Sequence, residues 1–370
     1  MSRRSAGEGS VYYSKSRARW VGQVYLDDGS KKIVIDKLQS KVVARIEKIR
    51  ADAKQGLSTN DRLKLKDYLN EYLTLKENSV QYNSYINYKR LIDNHISPRL
   101  GNIKISKINP VVITNVWNKM KNDGVGVVTI RRCQSVLANA FNEAIARNLL
   151  TYNPANYATT PRAPDNEIRL LEDNAIQSIL DYTEKQYSEY LPIITTAFQT
   201  GMRRSELCAL RWGDVDLDLA VLYVNRTFAK AKNGGLTEKA PKTKAGRRKI
   251  DLSPQFAIYL RNYLESHDGE ITPDQRVFRY TDGKQIKPDR VTHVFKTIAL
   301  ALEMPDIHFH NTRHSHAGVL LKMGVHPKVV QERLGHSSIQ VTMDIYSHIA
   351  PNMQRDAIKD FPLFTEMSRN

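Results

Sequence analysis

The fold of this chain is decided by two runs, HFHNTRHSHA at residues 308–317 and LGHSSIQVTMDIYSH at residues 334–348. The first run holds His310 and Arg313, whose three-residue spacing puts both side chains on one face of a helix. The second holds His336 and, ten residues later, Tyr346. A tyrosine hydroxyl has a pKa of about 10 in solution, so it attacks a phosphodiester only with a base and cations beside it. If Tyr346 is a nucleophile, other parts of the chain must supply those cations.

Two further runs carry cations where a helix start and a hairpin tip are expected. TGMRRSELCALRW (200–212) places Arg203 just after Gly201, where an apolar stretch ends and a new helix is predicted. An arginine there can direct its planar charged group at a phosphate, although a surface arginine is the commoner case. APKTKAGRRKIDL (240–252) predicts a β-hairpin tip with Lys242 near the turn. This tip is either a solvated turn or the carrier of a mobile lysine that reaches a DNA groove and protonates a leaving oxygen.

The charge of the chain favours a polyanionic partner. Its 370 residues carry a formal net charge of +17, and residues 1–60 hold 13 Lys and Arg against 6 Asp and Glu, so the excess is not confined to one tail. A small metabolite needs no such field, whereas nucleic acid does. We therefore predict a nucleic-acid surface that extends over several domains, with a generic basic protein as the alternative.

Cysteine usage and hydropathy predict a cytoplasmic protein. Cys133 and Cys208 stand far apart without metal-ligand spacing, as expected for core residues in a reducing compartment. No apolar run reaches the ~18 residues of a membrane span, and the initial MSRRSAGEGS lacks the apolar stretch of a signal peptide. The four histidines of residues 308–317 invite a metal site, but the HExxH pattern is absent, so we predict no metal.

Hydrophobic periodicity predicts a multidomain α+β chain in four parts. Residues 1–57 alternate with the strand period and end in helical spacing, which indicates a small three-stranded sheet plus one helix. Residues 58–155 indicate an all-helical domain. Residues 156–167 contain prolines and no apolar period, as in a linker. Residues 168–370 indicate a mostly helical domain with a small antiparallel sheet and a C-terminal tail.

In chain order, TGxRxxE, a hairpin lysine, HxxRH, LGH and a final tyrosine form a set that core packing does not explain. This set resembles the tyrosine recombinase (phage integrase) family. The resemblance covers almost the whole chain. Residues 1–57 look like the family's arm-type DNA-binding domain, and residues 168–370 look like its catalytic domain. Residues 58–155 look like its core-type DNA-binding domain, for which the run ISPRLGNIKISKINP at 96–110 is characteristic. The resemblance implies the following catalytic residues: Arg203, Lys242, His310, Arg313, His336 and, as nucleophile, Tyr346.

Two features depart from the family's usual pattern. Thr312 stands where a leucine usually precedes the second arginine, which bears on helix packing rather than on chemistry. The gap of ten residues from His336 to Tyr346 is one longer than in some members, so the segment that carries the tyrosine can be set differently. Tyr346 is still the last tyrosine of the chain, which leaves its assignment unambiguous within the family.

The resemblance implies a site-specific DNA recombinase, the integrase of a phage or an integrative mobile element. Such an enzyme cuts and rejoins DNA through a 3′-phosphotyrosine intermediate without ATP, metal or another cofactor. The implied partner is double-stranded DNA with core-type and arm-type sites, bound by a homotetramer in the nucleoid, with no membrane involved. The resemblance also leaves room for a host DNA-bending protein and an excision factor.

Two alternatives share parts of this pattern. A type IB-like topoisomerase uses the same tyrosine chemistry, but the arm-like N-terminal part argues against it, because relaxation needs no second class of site. A DNA-binding regulator with an inactive catalytic fold is disfavoured by the complete residue set.

Basic side chains on or beside the predicted strands are candidates for contacts with DNA. In the N-terminal sheet, the side chains that could face a major groove are those of Tyr13, Arg17, Arg19, Gln23 and Tyr25, and about half of them should instead pack on the helix that begins near Val42. The candidate contacts are Arg17, Arg19, Lys31, Lys32, Lys244 and Arg247.

Overall fold

The computed structural model describes residues 10–26, 31–54, 63–162, 169–232, 234–241, 244–267 and 269–347. The chain divides into two compact units, Met1–Asp165 and Asn166–Asn370. Among the helices of the described ranges, none combines the length and the apolar composition that crossing a membrane requires.

The first unit begins with an antiparallel three-stranded sheet in the order β1-β2-β3, followed by a helix. Its elements are β1 (Ser10–Ser14), β2 (Arg19–Tyr25), β3 (Lys31–Asp36) and α1 (Gln39–Lys54). Asp27, Asp28 and Gly29 predict a hairpin turn between β2 and β3, and these three residues lie outside the described ranges. A Cβ on Gly22 would lie 2.5 Å from Cγ1 of Val42, so glycine lets α1 approach the middle strand closely. Val24, Val34 and Ile46 complete the small core between sheet and helix.

Helices dominate the remaining described residues of the first unit, as the sequence predicted. They are α2 (Leu65–Ser79), α3 (Tyr82–Leu91), α4 (Ser97–Leu100), α5 (Pro110–Asn122) and α6 (Val127–Ala146), with a π-helical turn at Ile92–Ile96. Their apolar faces meet around Trp117 and Phe141, which are fully buried. Tyr68 is also buried, and its hydroxyl donates to the carbonyl oxygen of Ala140 at 2.5 Å. The abundant tyrosines of this region therefore serve packing at least in part.

The second unit is mostly helical and contains two small antiparallel sheets, which confirms the predicted α+β class. One sheet has the order β4-β5-β8 and the other pairs β6 with β7. The strands are β4 (Val215–Asp216), β5 (Val221–Val224), β6 (Thr227–Lys230), β7 (Leu236–Lys239) and β8 (Arg248–Asp251). The helices are α7 (Asp173–Gln186), α8 (Leu191–Thr200), α9 (Arg204–Leu207), α10 (Pro254–Glu265), α11 (Pro288–Ala301), α12 (His310–Lys322) and α13 (Pro327–Leu334). Residues 339–347 form a further helix, α14.

Two glycines end the helices that frame the site. Gly201 follows α8 with φ 63°, and Gly335 follows α13 with φ 67°, a left-handed conformation that glycine adopts without strain. A Cβ on Gly201 would lie 2.8 Å from Cδ2 of His316 in α12 and would also overlap Leu334. A Cβ on Gly335 would lie 2.5 Å from the carbonyl oxygen of Ala245. The ends of α8 and α13 therefore converge closely with α12 and with the turn before β8.

Candidate active site

Arg203 stands between the end of α8 and the start of α9, the place that the sequence predicted. Its backbone N–H donates to Oε2 of Glu206 at 2.9 Å, and its Nη1 donates to Oε1 of the same carboxylate at 2.8 Å. Its Nη2 donates to the carbonyl oxygen of Gly335 at 2.9 Å. The side chain remains 40% exposed, so part of the guanidinium faces solvent and is available to a ligand.

Arg313 lies in the first turn of α12 and is only 2% exposed. Its Nη1 donates to the carbonyl oxygen of Gly201 at 2.8 Å, and its Nη2 donates to that of Leu334 at 2.6 Å. Burial, together with the positive charges of Arg203 and Arg248, lowers the pKa of Arg313 to about 9. The group is therefore still protonated at neutral pH, held by the carboxyl-terminal ends of α8 and α13.

Arg248, at the start of β8, completes this cluster. Its Nη2 donates to Oε2 of Glu206 at 2.9 Å, and its Nε donates to the carbonyl oxygen of Arg333 at 2.7 Å. Three consecutive carbonyl oxygens at the end of α13, those of residues 333, 334 and 335, thus accept from three different arginines. The negative end of a helix dipole favours this arrangement of cations.

Glu206 is the carboxylate of the arginine cluster and is 3% exposed. Burial alone would raise its pKa, but the ion pairs with Arg248 and Arg203 outweigh that effect and hold the pKa below its ordinary value. Sequence reasoning placed Glu206 in the TGxRxxE motif without giving it a role, and it did not separate Arg248 from its basic neighbours. The burial of both side chains is what distinguishes them, and burial depends on the assembled fold.

His310 borders a cleft of about 340 Å³ on the same side as the arginines. Desolvation by the surrounding protein and the nearby charges of His314, Arg313 and Arg203 lower its pKa to about 4, although the residue as a whole is exposed to solvent. A neutral imidazole can accept a proton, so His310 has the protonation state of a base at neutral pH. The cleft is lined by Met202, Arg203, Arg204, Ser205, Thr292, His308, Phe309, His310 and Arg313.

His336 follows Gly335 and is buried, 7% exposed. Its Nδ1 lies 2.9 Å from the hydroxyl oxygen of Thr342. Burial and the charges of Arg313 and Arg203 lower the pKa of His336 to about 3, so this ring is also neutral at neutral pH. The structure therefore brings His336 into the same electrostatic environment as Arg203, His310 and Arg313.

Two further histidines of α12 support the site from behind. Nδ1 of His316 donates to the carbonyl oxygen of Phe198 at 2.8 Å, while its Nε2 accepts from Nε of Arg333 at 3.0 Å. Burial and the charge of Arg333 lower the pKa of His316 to about 4. His314 packs edge-on against His310 with ring centroids 4.6 Å apart. Within the described part of the chain, no three His, Cys, Asp or Glu side chains come together in a way that could hold a metal ion.

Tyr346 lies in α14 and is half-buried. It packs against an apolar cluster that includes Ala317 and Leu321 of α12 and Leu334 of α13. The helix that holds Arg313 and the helix that precedes His336 therefore also support the segment with Tyr346. Lys242 lies outside the described residues, as does the side chain of Lys244. Arg247 is exposed just before β8.

The basic candidates of the N-terminal sheet fall on different faces. Gly22 faces α1, so the alternating side chains of Arg19, Gln23 and Tyr25 lie on the opposite face of the sheet. Lys31 pairs with Tyr25 and shares that face, with its ammonium 5.5 Å from the tyrosine ring centroid. Residues on the other side are Lys32, which pairs with Val24, and Tyr13, which packs edge-on against Trp20. Arg17 is exposed in the short turn between β1 and β2.

Comparison with known proteins identifies the family. The sequence profile described as "Phage integrase family" matches residues 169–353, half of the chain. The chain belongs to the phage integrase family. A second profile, "Phage integrase, N-terminal SAM-like domain", matches residues 64–121. As a member of this family the protein is a tyrosine-type site-specific DNA recombinase, an integrase of a phage or mobile element.

Several relatives share most of the chain. The ICEBs1 integrase of Bacillus subtilis is 25% identical over 292 residues, which cover 77% of this chain and 79% of the relative. A XerC-like tyrosine recombinase of Caldanaerobacter subterraneus is 26% identical over 303 residues, 75% of this chain and 76% of the relative. These similarities favour the integrase over the topoisomerase and the inactive regulator.

Solved integrase structures share the fold. The Tn1549 transposon integrase in complex with transposon right end DNA superposes with a TM-score of 0.72 at 21% identity, covering 81% of this chain and 99% of that one. A lambda integrase tetramer bound to a Holliday junction gives a TM-score of 0.58 at 20% identity, covering 90% of this chain and 94% of that one.

Proposed function

We propose that Tyr346 is the nucleophile of strand cleavage and that Arg203 and Arg313 hold the scissile phosphate. The tyrosine oxygen attacks phosphorus, the bond to the 5′-oxygen breaks, and the product is a 3′-phosphotyrosine that conserves the energy of the diester. Attack by a 5′-hydroxyl of another strand reverses the step, so strand exchange needs neither ATP nor a metal. The observation that carries the proposal is the cluster of arginines, held by the carbonyl oxygens of helix ends, beside a cleft that is open to solvent.

The arginines suit a phosphate because each keeps donors in reserve. A guanidinium has five N–H groups in a planar fork, and Arg313 uses one from each terminal nitrogen on the protein. The remaining donors can contact the two non-bridging oxygens, and the protein has already fixed their directions. Charge that develops on those oxygens during attack is thereby stabilised without reorganisation.

Two proton transfers and one hydrogen bond are assigned to three other side chains. His310 is neutral at neutral pH and accepts the proton that Tyr346 loses. His336 donates a hydrogen bond to a non-bridging oxygen. Lys242, which lies outside the described residues, protonates the leaving 5′-oxygen, with Lys244 as the less favoured claimant.

The domain roles and partners follow the same reasoning. We assign residues 1–57 to arm-type sites, 58–155 to core-type sites, 156–167 to a linker and 168–370 to catalysis. Within residues 1–57, Arg19 and Lys31 share a sheet face with Gln23 and Tyr25, which supports a contact with a DNA groove there.

We propose that the enzyme acts as a homotetramer on DNA, as the lambda integrase does on a Holliday junction. A host DNA-bending protein and an excision factor are further proposed partners, and the nucleoid is the proposed location. The tail after Tyr346 is proposed to dock on a neighbouring protomer through its apolar residues, which lie outside the described residues: Ile349, Met353, Ile358, Phe361, Leu363 and Phe364. Deletion from residue 354 onward should then weaken assembly on DNA, and unchanged assembly would refute that docking.

A suicide DNA substrate tests the assignment of the nucleophile. The full-length protein should form a covalent complex that survives denaturing electrophoresis, and peptide mapping should place the DNA on Tyr346. Tyr346→Phe should abolish the complex but retain DNA binding, whereas Tyr223→Phe, which removes a partly exposed hydroxyl from β5, should leave it unchanged. An adduct on any other residue, or an adduct retained by Tyr346→Phe, would refute the proposal. Recombination of two cognate sites without relaxation of plasmids that lack them would separate recombinase from topoisomerase.

A further inference from the structure

Thr342 contacts the site although no motif drew attention to it. It lies in α14, is fully buried, and its hydroxyl oxygen is 2.9 Å from Nδ1 of His336. Tyr346 follows Thr342 by four residues, one turn of the same helix. One buried hydroxyl therefore joins the loop that holds His336 to the helix that holds the nucleophile.

The hydroxyl of Thr342 is used differently from those of several other helical threonines in this chain. Thr183, Thr196 and Thr200 each donate to the carbonyl oxygen four residues earlier. Thr342 stands in the first turn of α14, and the residue four positions earlier precedes that helix. Among the residues that the structure describes, His336 is the hydrogen-bond partner of this hydroxyl. Its proton is therefore free to point at the imidazole.

The direction of this hydrogen bond decides which ring nitrogen of His336 carries the proton. A neutral imidazole has one N–H and one lone pair, and burial beside the arginines keeps this ring neutral. If the threonine donates to Nδ1, the lone pair is on Nδ1 and the proton is on Nε2. No described residue bonds Nε2, so its N–H is left for a ligand. A phosphate oxygen, which only accepts hydrogen bonds, requires this tautomer.

We propose that Thr342 is a positioning residue that selects the Nε2–H tautomer of His336 and ties that ring to the helix of Tyr346. The proposal rests on the proposed function, because it assigns His336 as the donor to a non-bridging oxygen. It adds that the packing of α14 brings in Tyr346 and, at the same time, the hydroxyl that sets the tautomer of His336. A site with α14 displaced would lose both together.

Substitutions at Thr342 test this role by single-turnover cleavage of the suicide substrate at saturating DNA. Thr342→Val keeps the shape but removes the hydroxyl, and it should slow formation of the adduct roughly tenfold, the effect of one lost hydrogen bond, with DNA affinity unchanged. Thr342→Ser keeps the hydroxyl and should restore most of the rate. A serine variant as slow as the valine variant, or a valine variant as fast as wild type, would overturn the proposal.

A double-mutant cycle separates this role from simple packing. If Thr342 acts through His336, Thr342→Val should cause little further loss in a His336→Ala background. Losses that multiply would show that the threonine acts on α14 alone and would overturn the proposal.

Nitrogen-15 spectra of the histidine rings give a readout that needs no variant to fold. In the wild-type protein, Nδ1 of His336 should be unprotonated and Nε2 protonated, and the opposite pattern would overturn the proposal. Wild-type protein that forms no adduct would instead refute the proposed function itself.

Discussion

Replacing Glu206 with glutamine should disrupt the arginine cluster that holds the site together. The carboxylate accepts from the backbone N–H and Nη1 of Arg203 at 2.9 and 2.8 Å, and from Nη1 and Nη2 of Arg248 at 3.3 and 2.9 Å. Both oxygens are therefore surrounded by donors. The amide of glutamine substitutes a donor for one oxygen and removes the negative charge, so at least one arginine N–H loses its acceptor.

The magnitude follows from burial. The side chains of Glu206 and Arg248 are 3% and 5% exposed, so solvent cannot replace the lost interaction. Breaking such a pair by removing one partner costs about 3 to 5 kcal/mol of folding free energy. Glu332→Gln is the matched control, because this carboxylate is 68% exposed in an ion pair with Lys328 and should change stability by less than ~1 kcal/mol.

Urea unfolding, monitored by hydrogen-exchange mass spectrometry, measures the difference in unfolding free energy between wild type and the glutamine variant. Peptides from residues 166–370 report on the second unit alone. The low pKa of Glu206 means that its stabilising effect is complete above the ordinary value of 4.5 and is lost as pH falls below it. The difference between wild type and the glutamine variant should therefore be constant from pH 8 to pH 6. A difference below ~1 kcal/mol at pH 7 would refute the reasoning, since a buried pair would then be worth no more than a surface pair.

Three further predictions concern the same cluster. Arg313→Lys should slow adduct formation about 100- to 1000-fold in the suicide-substrate assay. A lysine ammonium cannot donate to the carbonyl oxygens of Gly201 and Leu334 and at the same time make two hydrogen bonds to a phosphate. A rate within threefold of wild type would contradict this prediction. His316→Gln should flatten the pH dependence of the free energy of unfolding. The pKa of His316 is about 4 in the folded protein and 6.5 in the unfolded chain, so the unfolded chain binds the proton first as pH falls. Wild type therefore loses stability between pH 6.5 and pH 4. That loss is at most about 3 kcal/mol in urea titrations, and an equal loss in the variant would assign it elsewhere. Gly335→Ala should cost about 1 to 3 kcal/mol, since φ is 67° and the new Cβ would lie 2.5 Å from the carbonyl oxygen of Ala245; unchanged hydrogen exchange in α13 would count against it.

Local sequence patterns were sufficient for much of the fold. The N-terminal strands alternate with period two, and the structure has β1, β2 and β3 where that alternation predicted them. Arg203 was found because a glycine and a new helix mark its position in the chain. The pairing of β5 with β8 could not be predicted, because the two strands are separated by the hairpin of β6 and β7. No local period encodes such a contact.

The supporting residues of the site were harder to find for a related reason. Arg247 and Arg248 are neighbours of one residue type, yet the structure exposes the first and buries the second against Glu206. Only the position of α13 distinguishes them, because the carbonyl oxygen of Arg333 in that helix accepts a hydrogen bond from Nε of Arg248. Thr342 was equally invisible: its partner His336 is six residues away, across a turn that periodicity does not describe.

The carbonyl oxygens at the end of α13 have a consequence for catalysis. They hold Arg203, Arg248 and Arg313 in place as dipoles, without adding negative charge. Within the described part of the chain, the carboxylate of Glu206 is the one that forms ion pairs in this cluster of three guanidinium groups, which leaves two positive charges uncompensated. A phosphodiester in the ground state brings one negative charge, whereas the five-coordinate phosphorus formed by an attacking phenolate carries two. The cluster therefore matches the charge of the transition state more closely than that of the bound DNA, which is the difference that accelerates a reaction.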